Sequence, residues 1–452
     1  MNEDELRERL RSAGQEQVLA GLGGLDAERR AAFLAQLAAV DLALLERLTR
    51  KIGERREPPP PAEPLEPVVG DPAQRAAWAD RGWEALRAGR VALLVVAGGQ
   101  GSRLGWEAPK GTYPVGPLSQ KSLFELFAEQ VRALGARAGR PLPWYVLTSR
   151  LNRAETEAYF AERGWLGLAP EQVRFLVQRD LPSTDLEGRM LLAEPGVLAT
   201  NPDGHGGALL ALEAGGALER MRVEGQDLLF YWQIDNPLCP VADPVFLGAH
   251  LEHEAQVSSK VVKKTDPLEK VGVLGLRGGK TAVVEYSEVT PEQRDARTAE
   301  GELCFRAGNI AIHLFGREFL AGLFQGGELA LDYHLARKAA PVLDADGVSR
   351  EREVVKFETF IFDVLPRAER HLALLVERVE EFEPLKNRDG DYSPETVRAA
   401  LSARAARWLA EAGHTPPLGA TCEVSPLAAL SPADLRGKRL PALEAGGVHV
   451  QG

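Results

Sequence analysis

Apolar residues recur at two spacings along this chain of 452 residues, and the change between them marks its parts. Over residues 1–56 the spacing is helical. Leu6, Leu10, Val18 and Leu22 form one series, and Phe33, Leu37, Val40, Leu44 and Leu48 form another. Asp26 and Asp41 stand where a short carboxylate caps the second and third helices. Residues 57–69, EPPPPAEPLEPVV, cannot be helix interior and read as an extended linker. From Gly70 to Glu380 apolar runs alternate with helical periods. Strands are predicted at Val91–Val96, Trp144–Thr148, Val173–Val177, Leu228–Ile234, Val257–Val262 and Thr281–Tyr286. Helices are predicted at Ser122–Leu134, Arg153–Glu162 and Ala208–Arg222. This rhythm predicts an α/β fold with a mostly parallel sheet, which binds ligands beyond the carboxyl ends of its strands. From Pro384 a smaller tail follows, with a helix at Pro394–Ala412. The expected division is 1–69 (helices and linker), 70–383 (main α/β domain) and 384–452 (small C-terminal domain).

Composition narrows the classes of function. Hydrophobic residues make up 44% and charged residues 26%, the balance of a soluble globular chain. The formal net charge of −11 argues against a general nucleic-acid binder, which needs a basic surface. Cys239, Cys304 and Cys422 are scattered, with no CxxC pair, which fits a reducing compartment. The N-terminus MNEDELRERL lacks a signal-peptide apolar region, and no apolar run is long enough to span a bilayer. The expectation is a cytoplasmic protein with neither membrane nor nucleic acid as partner.

The candidate chemistry starts at Leu93–Lys110, LLVVAGGQGSRLGWEAPK. An apolar run ends in a glycine-rich loop, with Arg103 and Lys110 close behind. Glycines such as Gly98 and Gly99 let backbone N–H groups approach phosphate, and the two cations add fixed positive charge. The loop is not a Walker A motif, because no Gly-Lys-Ser/Thr ends it. It also lacks the third glycine of the dinucleotide fingerprint. A plain strand-to-helix turn is the competing reading, and the clustered cations favour the phosphate cradle.

The same loop, AGGQGSRLG with PKG and KSLFEL after it, resembles the UTP-dependent sugar-1-phosphate uridylyltransferases. It is most similar to their UDP-N-acetylhexosamine pyrophosphorylase branch. The resemblance continues in order through NPDGHGG (Asn201–Gly207), IDNP (Ile234–Pro237), VVEYSE (Val283–Glu288), AGNIA (Ala307–Ala311), FIFD (Phe360–Asp363) and PLKN (Pro384–Asn387). It implies a Rossmann-like, glycosyltransferase-A-like core with a mixed, mainly parallel sheet. It also implies UTP and a sugar-1-phosphate as substrates, with UDP-sugar and pyrophosphate as products. N-acetylglucosamine-1-phosphate is the first candidate sugar.

The family's roles carry over by position. Lys110 is expected to neutralise the α-phosphate, Arg103 to hold the leaving pyrophosphate, and Lys386 to add a cation. Gly98 and Gly99 belong to the nucleotide loop. Gln178, in FLVQ, and Gly204 are expected to read uracil; an amide offers both a donor and an acceptor. Asp235 ends an apolar strand and is expected to bind Mg2+, which needs only one or two carboxylates beside phosphate oxygens. Gly272, Glu285 and Asn309 are expected at the sugar hydroxyls. Lys356 is expected at the sugar phosphate, with His205, Phe360 and Phe362 lining the sugar pocket. The alternation of Phe360 and Phe362 reads as a half-buried strand, so ordinary core packing competes with that role.

Two departures keep other readings open. His205 stands where the acetylhexosamine branch carries Asn, and the UDP-glucose branch has His in a similar GHG motif. UDP-glucose or broad-specificity synthesis is therefore the second reading. Pro114 replaces an expected acidic residue, with no chemical account. A regulator that binds UTP or UDP-sugar without catalysis is the reading from a different class, and Arg103, Lys110 and Asp235 argue against it. His250 and His253, three apart on a helix, are better read as a solvated face than as a zinc site.

Overall fold

Val91–Val96 lies inside a sheet to which ten strands belong among the described residues. The computed structural model describes residues 2–54, 59–325, 328, 329, 331–344, 346–438, 440 and 447–452. Arg55, Arg56, Glu57 and Pro58, at the junction of the predicted helices and the proline-rich stretch, lie outside them. The backbone falls into two units. The larger comprises Pro60–Val177, Ala211–Leu329 and Val364–Gly452; the smaller comprises Met1–Pro59, Gln178–Leu210 and Ala330–Asp363.

The sheet belongs to the larger unit. Val91–Val96 pairs in parallel with Trp144–Thr148 on one side and Leu228–Gln233 on the other. Val173–Val177 extends the parallel half beyond Trp144–Thr148. Ala307–Gly316 runs antiparallel to Leu228–Gln233, and Val257–Lys263 antiparallel to it in turn. His371–Val376 is parallel to Val257–Lys263. Val273–Arg277 and Lys280–Val284 form an antiparallel pair, with Glu63–Pro64 on the outer edge. The sheet is mixed and mainly parallel, as expected. Its parallel strands are continuous apolar runs because both faces are buried, which is why they were readable from composition alone.

Aromatic side chains fill the core beside this sheet. Trp144 and Trp232 stack with centroids 6.2 Å apart, and Phe127 meets Trp232 edge-on at 5.5 Å. Trp232 is 0% exposed, so truncation to alanine would cost about 3–5 kcal/mol. Helix Leu123–Ala138 starts at a capping box of Ser122 and Glu125 and stops at Gly139, whose φ of 72° suits glycine. The tail contributes helix Pro394–Glu411 and a parallel pair, Cys422–Val424 with Val448–Val450, around a small core of its own.

In the smaller unit, Asp26 and Asp41 cap helices Ala27–Ala38 and Leu42–Thr49, accepting from Arg29 N at 2.8 Å and Leu44 N at 2.9 Å. The apolar faces of these helices and of Glu3–Ser12 join Leu181, Met190, Leu198, Val355 and Phe357 in one core. Val355 and Phe357 come from the hairpin His334–Leu343 and Ser349–Glu358, which the sequence pattern did not reveal.

Three predicted elements differ. The helix expected over Ala208–Arg222 is two, Gly207–Ala214 and Ala217–Glu224, because Gly215-Gly216 breaks it with a φ of 64° at Gly216. The strand expected to reach Tyr286 ends at Val284, where Glu285 opens a turn closed by Glu288 N. Phe360 and Phe362 are not on a strand. The backbone leaves the hairpin at Glu358 and enters a 3-10 turn, Ile361–Arg367, whose entry is held by Asp363 Oδ2 on Phe360 N at 3.3 Å. No helix among the described residues is long and apolar enough to cross a membrane.

Candidate active site

The larger unit builds its site on the loop after Val91–Val96. Beyond Gly98 and Gly99 the chain folds back through the turn Ser102–Leu104, so that Gly101 N donates to Ala108 O at 3.0 Å and Lys110 N donates to Gly99 O at 3.1 Å. That return needs Gly101, since a Cβ there would lie 2.7 Å from the Trp106 side chain. The N–H groups of Gly98 and Gly99 have no acceptor among the described residues, as a phosphate cradle requires. Asn152 fixes the loop from behind. It is fully buried, donates to Ala97 O at 2.9 Å and accepts from Ser149 N at 2.9 Å.

Lys110 and Asp235 meet at this loop. Their charged atoms are 3.7 Å apart, with the side chains 18% and 13% exposed. Leu385 ties them by its backbone. Its N–H donates to Asp235 O at 2.7 Å, and its carbonyl accepts from Lys110 Nζ at 3.1 Å. Buried Asn236 holds the preceding residues, donating to Glu381 O at 2.7 Å and accepting from Glu383 N at 3.1 Å. Lys386, next in the chain, and Arg103, in the turn Ser102–Leu104, are exposed. Neither side chain has an ion-pair partner among the described residues.

Gly272, Glu285 and Asn309 are also brought together in the larger unit. Asn309 N donates to Gly272 O at 2.9 Å, and a Cβ on Gly272 would lie 3.2 Å from Glu285 Oε1. The Asn309 side chain accepts from Ala311 N at 3.1 Å, holding Ala311 at a φ of 55°, a strained value for alanine.

The smaller unit gathers the remaining predicted residues. Gln178 is 6% exposed and donates through Nε2 to Asp203 Oδ1 at 3.2 Å and to Gly204 O. Gly204 has a φ of 81° and packs on the Thr359 backbone, so any side chain would be both strained and overlapped. His205 stacks on Phe360 (centroids 5.2 Å) and meets Phe362 at 5.4 Å. On its other side Phe360 stacks with His334 at 4.4 Å, and His334 Nε2 lies 2.8 Å from Asp363. Burial holds the His205 imidazole down at about 4, so it is neutral at pH 7, and its Nδ1 accepts from Ile361 N at 3.1 Å. Half-buried Lys356 is lowered by burial and then by repulsion from Lys338, and it makes no ion pair among the described residues.

Sequence reasoning missed Asn152, Asn236, Asp203 and the backbone of Leu385. Asp203 was visible inside NPDGHGG, and Asn152 three residues after Ser149 has the spacing of a local cap. Nothing in the sequence marks Asn236 or Leu385 as bridges, because their partners are up to 275 residues distant.

A glycine loop after a central parallel strand, with a lysine and an aspartate at its mouth, defines a nucleotide-binding enzyme of phosphoryl-group chemistry. A family model described as UTP–glucose-1-phosphate uridylyltransferase matches residues 72–415, and the chain belongs to this family of nucleotidyltransferases. It is 38% identical to UDP-N-acetylhexosamine pyrophosphorylase-like protein 1 of Homo sapiens, over 95% of this chain and 93% of that protein. It is 35% identical to the UDP-N-acetylglucosamine pyrophosphorylase of Saccharomyces cerevisiae, over 92% and 90% of the two chains. Among solved structures, the uridine diphosphate N-acetylglucosamine pyrophosphorylase of Trypanosoma brucei matches with a TM-score of 0.80 at 29% identity, covering 96% of this chain and 94% of that one.

Proposed function

We propose that this enzyme makes UDP-N-acetylglucosamine and pyrophosphate from UTP and N-acetylglucosamine-1-phosphate. A phosphate oxygen of the sugar phosphate attacks the α-phosphorus of UTP. The bond from that phosphorus to the bridging oxygen breaks, and pyrophosphate leaves with the electron pair. No covalent enzyme intermediate is needed, so catalysis rests on alignment and charge neutralisation. The observation that carries the reading is Lys110, held beside Asp235 and the Leu385 carbonyl under a loop whose Gly98 and Gly99 N–H groups have no acceptor among the described residues.

In this reading Gly98 and Gly99 cradle phosphate, Lys110 neutralises charge on the α-phosphate, and Arg103 and Lys386 are exposed cations for the pyrophosphate and sugar phosphate. Gln178 and Gly204 read the base. Gly272, Glu285 and Asn309 bind sugar hydroxyls, and Lys356 supports the sugar phosphate. Asp235 is the protein ligand for Mg2+. One carboxylate fits that ion when phosphate oxygens complete its shell, and no cluster of three or more metal-ligating side chains occurs among the described residues. Bound there, magnesium would offset negative charge on the phosphates. The rings of His205, Phe360 and Phe362 offer an apolar wall suited to an acetamido methyl group, which supports the acetylated sugar over glucose. The proposed setting is the cytoplasm, supported by three unpaired cysteines.

Pyrophosphate release with UTP and Mg2+ against N-acetylglucosamine-, N-acetylgalactosamine-, glucose- and galactose-1-phosphate tests the assignment. A preference for the acetamido sugars is expected. Equal or better use of glucose-1-phosphate would overturn the sugar assignment, and no release with any sugar would overturn the catalytic one.

A further inference from the structure

Asp203 is 0% exposed and fixed on every side. Its N–H donates to Arg179 O at 3.1 Å, and its carbonyl accepts from Thr359 N at 2.7 Å and Thr359 Oγ1 at 2.9 Å. Its carboxylate lies between two groups, with Oδ2 3.3 Å from Arg179 Nε and Oδ1 3.2 Å from Gln178 Nε2. Gly207 leaves the space for it, since a Cβ there would overlap Oδ1. Burying a carboxylate is costly, and a turn of this shape does not need one.

The amide of Gln178 explains why it is there. A glutamine amide can be turned end for end, which exchanges its donor and its acceptor. Here the NH2 end sits between two acceptors, Asp203 Oδ1 and Gly204 O. The turned amide would bring Oε1 against both. Oε1 is thereby left as the open group, and it accepts no hydrogen bond among the described residues. The N–H of Gly204, in the same turn, likewise has no acceptor among them. One acceptor and one donor match the N3–H and a carbonyl of uracil. Cytosine presents an unprotonated N3 and an amino group, the opposite pattern.

We propose that Asp203 is a positioning residue that fixes the direction of the Gln178 amide and so sets the preference for a uracil over a cytosine nucleotide. This rests on the base-reading role proposed above for Gln178 and Gly204. The substrate class it selects is a pyrimidine nucleoside triphosphate with a protonated N3.

The experiment is kcat/KM for UTP and for CTP in the wild-type enzyme, Asp203→Ala, Asp203→Asn and Gln178→Ala. Asp203→Ala is expected to lower the UTP-to-CTP ratio by about tenfold, the scale of one charge-assisted hydrogen bond. Asp203→Asn is expected to lower it at least as far. Arg179 would draw the asparagine oxygen, leaving an NH2 that turns Gln178. If either variant fails to fold, the other reads the same ratio. A purely structural Asp203 would depress both nucleotides together and leave the ratio unchanged, which overturns the proposal. Gln178→Ala separates the two ideas. If it leaves the ratio unchanged, the base-reading role itself is wrong. If it lowers the ratio while both Asp203 variants keep it, only the role of Asp203 is wrong.

Discussion

Lys110 is the residue whose surroundings say most about its work. Its ammonium faces a carboxylate at 3.7 Å and a backbone carbonyl at 3.1 Å, so its charge is aimed rather than solvated. Replacing it by alanine removes a preorganised cation and is expected to lower turnover by about 100-fold or more, read as pyrophosphate release from a folded variant. Asp203 carries a prediction about pH. Burial pushes its carboxyl up to about 6, with Arg179 pulling the other way. The unfolded chain titrates near about 3.9, so between these values the folded state binds more protons and stability falls as pH rises. At pH 7 the ionised form costs about 3 kcal/mol. Asp203→Asn is therefore expected to gain about 2 kcal/mol on the wild-type protein between pH 4 and pH 7, measured by urea unfolding at both.

At the scale of elements, the segment from Glu381 to Leu385 is attached to Asp235 and Asn236 through its main chain. Asn236→Ala would leave a carbonyl and an N–H unpaired in the interior. It is expected to destabilise the protein by about 2–3 kcal/mol in chemical denaturation and to lower turnover as Leu385 loosens from Lys110. Here the limits of sequence reading have a physical cause. Val91–Val96 and Trp144–Thr148 were legible because a strand buried on both faces must be apolar throughout. The glycine loop was legible because a chain that folds back this tightly, as at Gly101 against Trp106, restricts which residues fit. The Phe360–Phe362 alternation misled, because its period matches a strand while Asp363 and His205 draw the backbone into a turn. Asn152, Asn236 and Leu385 act through partners remote in the chain, and local pattern carries no record of them. The trio Gly272, Glu285 and Asn309 was named by resemblance alone, and the pairing of their strands is what makes them neighbours.

For the whole molecule, the division of the backbone is not the division of the sequence. Each unit is assembled from three separated segments. A chain ending at residue 329 would lack Val355 and Phe357, on which the N-terminal helices pack. Limited proteolysis of that truncation is expected to digest residues 2–54 rapidly while the same residues in the full chain persist; equal resistance would contradict this account. The same core has a consequence for how the protein is made. Leu48 leaves the ribosome 307 residues before Val355, an interval of about 15–60 s at ordinary elongation rates. Throughout it the helices of residues 3–49 lack Val355 and Phe357, and until Leu181–Leu198 is made they lack the rest of their long-range core as well. An apolar face left uncovered for that long is expected to need shielding from aggregation, and faster translation would shorten its exposure.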